Sequence, residues 1–273
     1  MTMPNFLILG AAKAGTTALY HHLRQHPQIG MSRIKETNYF ALMGEPVDFR
    51  GPGDREFIGR FSVTTLDDYR DQFRHCAATP AVGEASPLYL YSPKAAHGIR
   101  HFVPDAKLIV ILRDPVDRAY SAFLHLVRDG REPVIDFGEA LRREEERIAD
   151  RWEHIWHYRR MGFYHEQLSR YFVAFDRAQI RIYLYDEFHA DPLGVLRDVF
   201  RFLGVDEGFA PDTSVRHNAA SVPRERRPPL LPEVRRELQD GFRDDILKLQ
   251  GLLGRDLSAW LGTPSDRFVP LSA

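Results

Sequence analysis

The sequence predicts a three-layer α/β fold, with a central, mainly parallel sheet flanked by helices and a single domain spanning residues 1–273. Three observations carry this expectation. Lys107–Leu112 is a nearly continuous apolar run, Lys-Leu-Ile-Val-Ile-Leu, of the kind buried on both faces of a parallel sheet. Shorter segments of the same character stand at Phe6–Leu9, Ala81–Glu84 and Ile180–Tyr185. Helical patterns separate these segments, and strands alternating with helices specify parallel βαβ units.

In chain order, Phe6–Leu9 is the first strand, and it runs into Gly10-Ala11-Ala12-Lys13-Ala14-Gly15-Thr16-Thr17 before a helix that carries Ala18, Leu19 and Leu23. Gly44–Gly59, with Pro46, Gly51, Pro52 and Gly53, reads as a surface loop. A helix starts at Asp114-Pro115, with proline suited to the first turn, and continues through Ala119, Phe123, Leu126 and Val127. Further helices are expected at Gly138–Tyr158, about Tyr164–Phe172, and Pro192–Leu203, the last closed by Gly204. Pro211–Pro232 is an arginine- and proline-rich loop ahead of a final amphipathic helix, Pro232–Leu253. No internal repeat or low-complexity linker interrupts the chain.

Composition narrows the function. Apolar residues make up 44% of the 273, enough for a large core, and the charged fraction of 27% is ordinary. A formal net charge of −1 argues against a nucleic-acid partner, which would require a basic excess, so any anion site must be local. The single cysteine, Cys76, excludes an internal disulfide framework and a cysteine-based zinc cluster. With no leader ahead of the first strand and no apolar run of about 20 residues, a soluble cytoplasmic protein is expected. His21-His22 and His154/His157 have metal-like spacing but no third ligand in sight, so no metal site is assigned. The run Arg142–Arg147 reads as a solvated helix face.

Two segments carry chemistry. The small residues from Gly10 to Gly15 let backbone approach a ligand closely, and the N–H groups and positive dipole end of the following helix then point at an anion. Lys13 stands two positions before Gly15, whereas the nucleotide-triphosphate P-loop has its lysine after the last glycine. At the end of the strongest strand, Arg113-Asp114-Pro115-Val116-Asp117-Arg118-Ala119-Tyr120-Ser121 places a guanidinium and a hydroxyl beside that loop, because ligands of such sheets sit at strand carboxyl ends. Arginine offers two parallel charge-assisted hydrogen bonds, which suits a second phosphate.

The order Lys-Ala-Gly-Thr-Thr, followed by Arg-Asp-Pro-x-x-Arg-x-x-x-Ser, resembles the sulfotransferases that use 3′-phosphoadenosine 5′-phosphosulfate (PAPS), and in particular the heparan-sulfate type and its soluble bacterial relatives. Lys35-Glu36-Thr37-Asn38-Tyr39-Phe40, Glu84-Ala85-Ser86-Pro87-Leu88-Tyr89 and Phe202-Leu203-Gly204-Val205 agree in order, so the resemblance covers about Phe6 to Val205. It implies a P-loop-like fold in which Lys13, Ala14, Gly15, Thr16, Thr17 and Ala18 hold the 5′-phosphosulfate, and Arg113 and Ser121 hold the 3′-phosphate. It further implies Glu36 as catalytic base, Lys13 as stabiliser of the leaving oxygen, His125 near the acceptor, and no metal. The base would act best with a pKa raised toward neutrality. By rough analogy, Arg224, Arg226 and Arg227 would fold over the donor. Two features depart from the family: Ala85 stands where the heparan-type enzymes carry a lysine, and one cysteine forbids their C-terminal disulfide. The expected acceptor is a hydroxyl, or less readily an amine, on a carbohydrate or small molecule. Its pocket is expected between Gly44–Tyr69 and the Trp152–Tyr158 segment, where Trp152, Trp156 and Tyr158 either stack on the acceptor or belong to the core. A P-loop kinase or NTPase and a non-catalytic nucleotide-binding module are the other readings that the loop alone permits.

Overall fold

A computed structural model describes residues 2–215, 222–223 and 226–262. Five strands form one sheet: β1 (Phe6–Gly10), β2 (Ile29–Met31), β3 (Ala81–Ala85), β4 (Lys107–Leu112) and β5 (Ile180–Leu184). Their spatial order is β2-β3-β1-β4-β5, and every neighbouring pair is parallel. β1 lies in the middle, with Ile8 opposite Ala85 of β3 on one side and Ile109 of β4 on the other. All of β1 and β3 is buried, as is β4 beyond Lys107, which is why these strands read as unbroken apolar runs. The sheet class and its flanking helices are as the sequence predicts.

The helices bury the stripes that their spacing implies. Pro192–Leu203 turns Leu196, Val199, Phe200 and Leu203 inward and ends on Gly204 in the left-handed region, at φ 79°. Pro232–Leu253 buries Val234, Leu238, Phe242, Ile246, Leu249 and Leu253, a three-to-four-residue stripe. Pro115–Arg128 is started by Asp114, whose carboxylate accepts from the Val116 and Asp117 N–H groups at 2.8 and 3.1 Å.

Several expectations need correction. β2 escapes sequence reading because it is only Ile-Gly-Met; Gly30 is required there, since a Cβ would lie 2.6 Å from Cys76. The stretch taken as a loop at Gly44–Gly59 contains the start of a helix, Asp54–Phe61, and Asp54 is fully buried. The long helix expected over Gly138–Tyr158 is two short ones, Phe137–Arg142 and Glu144–Ala149, followed by a 3-10 turn at His154–Trp156. Nor is Arg142–Arg147 a wholly solvated face. Glu144 is buried and accepts from the N–H groups of Arg159 and Arg160, while buried Arg147 forms a two-pronged pair with Glu132 at 3.0 and 2.7 Å. Those polar partners lie far along the chain, so local charge pattern gives no sign of them.

β3 approaches β1 so closely that a Cβ on Gly83 would stand 2.3 Å from the buried ring of Phe6. Gly83→Ala should therefore destabilise the fold by about 1–3 kcal/mol through overpacking, read as a lowered urea midpoint at unchanged slope.

Candidate active site

Because β1 is flanked by β3 on one side and β4 on the other, the chain leaves the carboxyl ends of β1 and β4 around a shared crevice. The loop after β1 and the residue after β4 meet there directly: the Arg113 guanidinium donates to the Lys13 carbonyl at 3.1 Å. The Tyr185 ring, 4.6 Å below the Arg113 guanidinium, holds that side chain from the other side. A cleft of about 760 Å³ opens over this junction. Lys13, Gly15, Thr16, Thr17, Ala18, Glu36, Arg113, Ser121 and His125 all line it. Ala14 is buried behind the loop. Arg226 and Arg227 do not line the cleft; Arg227 donates to the Val222 carbonyl at 2.7 Å, and Arg224 lies outside the described residues.

The helix Thr16–Leu23 has its amino end in this cleft. Gly15, at φ 95°, makes the left-handed step into the helix, no side chain caps it, and no acid occupies its first turn. The first N–H groups of a helix have no partner within it, so an anion is the natural complement here. That uncapped end, with Lys13 and Arg113 beside it and Ser121 in the same lining, fits an anionic ligand with phosphate-like groups.

Lys13, Glu36 and His125 interact electrostatically. Burial, reinforced by the Arg128 charge, lowers the Lys13 ammonium to about 8. Burial opposes the charge on Glu36, yet Lys35, by proximity and a hydrogen bond, and Lys13 behind it hold that carboxyl below its usual range. In the free protein the Glu36 carboxyl therefore lies on the acidic side of its usual range. Burial and the Lys13 charge depress His125 to about 4, leaving a neutral ring. Arg128 can only donate, so its 2.8 Å contact makes Nδ1 the acceptor and leaves the proton on Nε2. Asp129 is 3.6 Å from Nε2, too far for a hydrogen bond. His125 accordingly lines the cleft as a neutral ring with its proton on Nε2.

Glu36 sits on a turn in the left-handed region, with φ 69° there and 54° at Asn38. What holds this turn is a buried carboxylate that the sequence reading left as part of a motif. Glu84 accepts from Thr37 Oγ1 at 2.5 Å, Tyr69 OH at 2.6 Å, Tyr89 OH at 2.7 Å and Ser86 Oγ at 2.9 Å. Burial raises the Glu84 pKa, against the pull of these donors. Ser86 Oγ also accepts from the Asn38 N–H, and the Ala85 carbonyl accepts from the Glu36 N–H at 2.9 Å. Ala85 itself is fully buried, and the cation next to Glu36 is Lys35.

The opposite wall is organised by Asp54, which pairs with Arg131, accepts from Trp156 Nε1 at 2.9 Å and takes the Glu153 N–H at 2.7 Å. Glu153 reaches Arg131 at 3.3 Å and lines the cleft; burial raises its pKa to about 7. Trp156 and Tyr158 are core residues, and Trp152 does not line the cleft either; their segment contributes Glu153, His154 and Ile155 instead. A carboxylate beside an aromatic run was the available signal, but the aromatic rings drew the assignment. His154 and His157 pack ring to ring at 5.3 Å, and among the described residues no three acidic, histidine or cysteine groups gather as a metal site.

The model of the sulfotransferase family matches residues 4–210. The chain belongs to the sulfotransferase family. A sulfotransferase from Alicyclobacillus acidocaldarius shares 42% sequence identity and superposes with a TM-score of 0.86 over 95% of this chain and 99% of that one. The P-loop-like α/β fold of the sulfotransferases is thus the fold of this protein. Among curated relatives, the Mus musculus bifunctional heparan sulfate N-deacetylase/N-sulfotransferase 4 is 28% identical over 95% of this chain. The Mus musculus heparan sulfate glucosamine 3-O-sulfotransferase 3A1 is 27% identical over 95%. The chain spans about a third of the first relative's length (31%) and just under two thirds of the second's (65%). Among the described residues no helix of this sulfotransferase is long and apolar enough to cross a membrane.

Removing the Glu84 carboxylate takes away the shared acceptor of four buried hydroxyls at once. Glu84→Ala should cost on the order of 3 kcal/mol in chemical denaturation. Tyr69→Phe, which removes one donor and leaves the ring, should cost about 1 kcal/mol.

Proposed function

We propose that this sulfotransferase moves a sulfuryl group from PAPS to a hydroxyl, or less readily an amine, of a carbohydrate or small-molecule acceptor, as one cytoplasmic domain. The observation that supports this most is the convergence of two anion-binding strand ends on one cleft that also holds a carboxylate. Lys13 and the N–H groups of Gly15 to Ala18 would receive the 5′-phosphosulfate, while Arg113 and Ser121 would receive the 3′-phosphate. That second phosphate is what separates this donor from ATP.

In the step proposed, the acceptor oxygen bonds to sulfur as its proton passes to Glu36. The bond from sulfur to the bridging phosphate oxygen breaks, and the electron pair stays on adenosine 3′,5′-bisphosphate. Lys13 stabilises the charge that gathers on the bridging oxygen. The neutral His125, donating through Nε2, would steady a sulfuryl or acceptor oxygen. Engaging Lys13 with an anion removes part of what holds the Glu36 pKa down, so donor binding strengthens the base.

Two outcomes test these roles. Lys13→Ala and Glu36→Gln should each lower transfer of labelled sulfuryl from PAPS by at least about a hundredfold. Glu36→Gln should still bind adenosine 3′,5′-bisphosphate, and full activity of either variant would end the mechanism. The free Lys13 ammonium titrates at about 8, so it is charged below that pH and neutral above it. Donor kcat/KM should therefore fall as pH rises through about 8, and a profile flat to pH 10 would remove Lys13 from donor binding.

A further inference from the structure

The walls of the cleft differ in charge. Among the described residues lining it, Lys13 and Arg113 face the donor end. The other two strong cations are already matched: Lys35 pairs with Glu36, and Arg131 pairs with both Asp54 and Glu153. Beyond Glu36 the lining turns apolar. Phe57 and Phe61 are 42% and 45% exposed, an unusual state for two phenylalanines on one short helix, and Ile155 continues their surface. The Phe57 ring is held 4.6 Å from the Arg131 guanidinium, so it stands as a fixed wall.

The polar groups on this side suit hydroxyls and not anions. Asn38 Oδ1 and His154 Nδ1 are buried without hydrogen-bond partners, and both residues line the cleft. Burial, with the Asp54 charge and to a smaller extent that of Glu36, disfavours a charge on Glu153. An anionic acceptor entering here would find Lys35 held by Glu36 and Arg131 held by Asp54 and Glu153, and so no unmatched cation to receive it. A hydroxyl group, in contrast, can donate to the Glu36 carboxylate while its carbon frame rests on Phe57, Phe61 and Ile155.

From this arrangement we infer that the acceptor half of the cleft takes an uncharged alcohol on a largely apolar frame, aromatic or alkyl, with Phe57 and Phe61 as its specificity-determining contacts and Glu153 as a filter against anionic saccharides. The inference rests on the donor reading above, and names the acceptor class which that reading left open.

The test is calorimetric titration of the protein loaded with adenosine 3′,5′-bisphosphate, using 2-naphthol, decanol and a heparosan hexasaccharide in turn. Both alcohols should bind saturably and at least about tenfold more tightly than the hexasaccharide. Phe57→Ala and Phe61→Ala should each weaken alcohol binding about tenfold, with bisphosphate affinity unchanged within about twofold. Glu153→Gln should narrow the gap between alcohol and hexasaccharide. Tighter binding of the hexasaccharide, or alcohol affinity indifferent to both phenylalanines, would overturn the inference. Failure of the bisphosphate to bind would instead strike the donor reading. The alcohol titrations are then made on the free protein, where the same outcomes keep the same meaning.

Discussion

The buried carboxylate of Glu84 is the constraint on which the site depends. It is fully buried on β3, where an ionised group is costly unless several donors converge on it. Thr37, Tyr69, Ser86 and Tyr89 supply those donors from three parts of the chain. Satisfying one carboxylate thereby fixes the turn bearing Glu36, the helix bearing Tyr69 and the residues after β3 relative to one another. A half-satisfied network of this kind is worse than an apolar core, which makes the arrangement close to all-or-none. The position of Glu36 is in this sense a consequence of a group that never meets the cleft.

The electrostatics of the cleft follow from how its cations are matched. Lys13 and Arg113 stand at the carboxyl ends of adjacent parallel strands, and Arg113 is braced by the Lys13 carbonyl and the Tyr185 ring. Their charge, with the uncapped start of the helix at Thr16, makes one end of the cleft receptive to anions. At the other end, Lys35 and Arg131 are held by carboxylates, so that region offers carboxyl groups, unpartnered hydrogen-bonding atoms and exposed rings. One cleft thus presents two different chemistries side by side, with Glu36 at their boundary. Burial and Lys13 keep His125 neutral, and in the proposed reaction Glu36 is the proton acceptor.

Much of this was legible in the sequence, for physical reasons that can be named. Lys107–Leu112 reads as a buried parallel strand because both its faces are covered, and Lys13, Gly15, Arg113 and Ser121 are legible because strand ends and helix starts fix where short motifs point. β2 was not legible, since three residues held in place by Cys76 and an adjacent strand carry no periodicity of their own. The helix at Asp54–Phe61 was hidden by the glycines and proline before it, which form its entry and not a longer loop. Glu153 stayed hidden among aromatic neighbours, His154 stood out only for its spacing to His157, and whether a tryptophan faces core or cleft depends on a partner such as Asp54, about a hundred residues away in sequence. The depressed Glu36 pKa is due first to Lys35, its neighbour in sequence, and Lys13, which only the fold brings near, adds to it.

The central claim is that Arg113 reads a second phosphate at the end of β4. Calorimetry comparing adenosine 3′,5′-bisphosphate, AMP and ATP with magnesium, on the native protein and on Arg113→Ala, tests it most directly. A charge-assisted, two-pronged contact is worth about 1.5–3 kcal/mol, so the native protein should prefer the bisphosphate over AMP by roughly ten- to a hundredfold. The substitution should remove most of that preference while AMP affinity changes little. A preference that survives in Arg113→Ala, or tighter binding of ATP than of the bisphosphate by the native protein, would contradict the account.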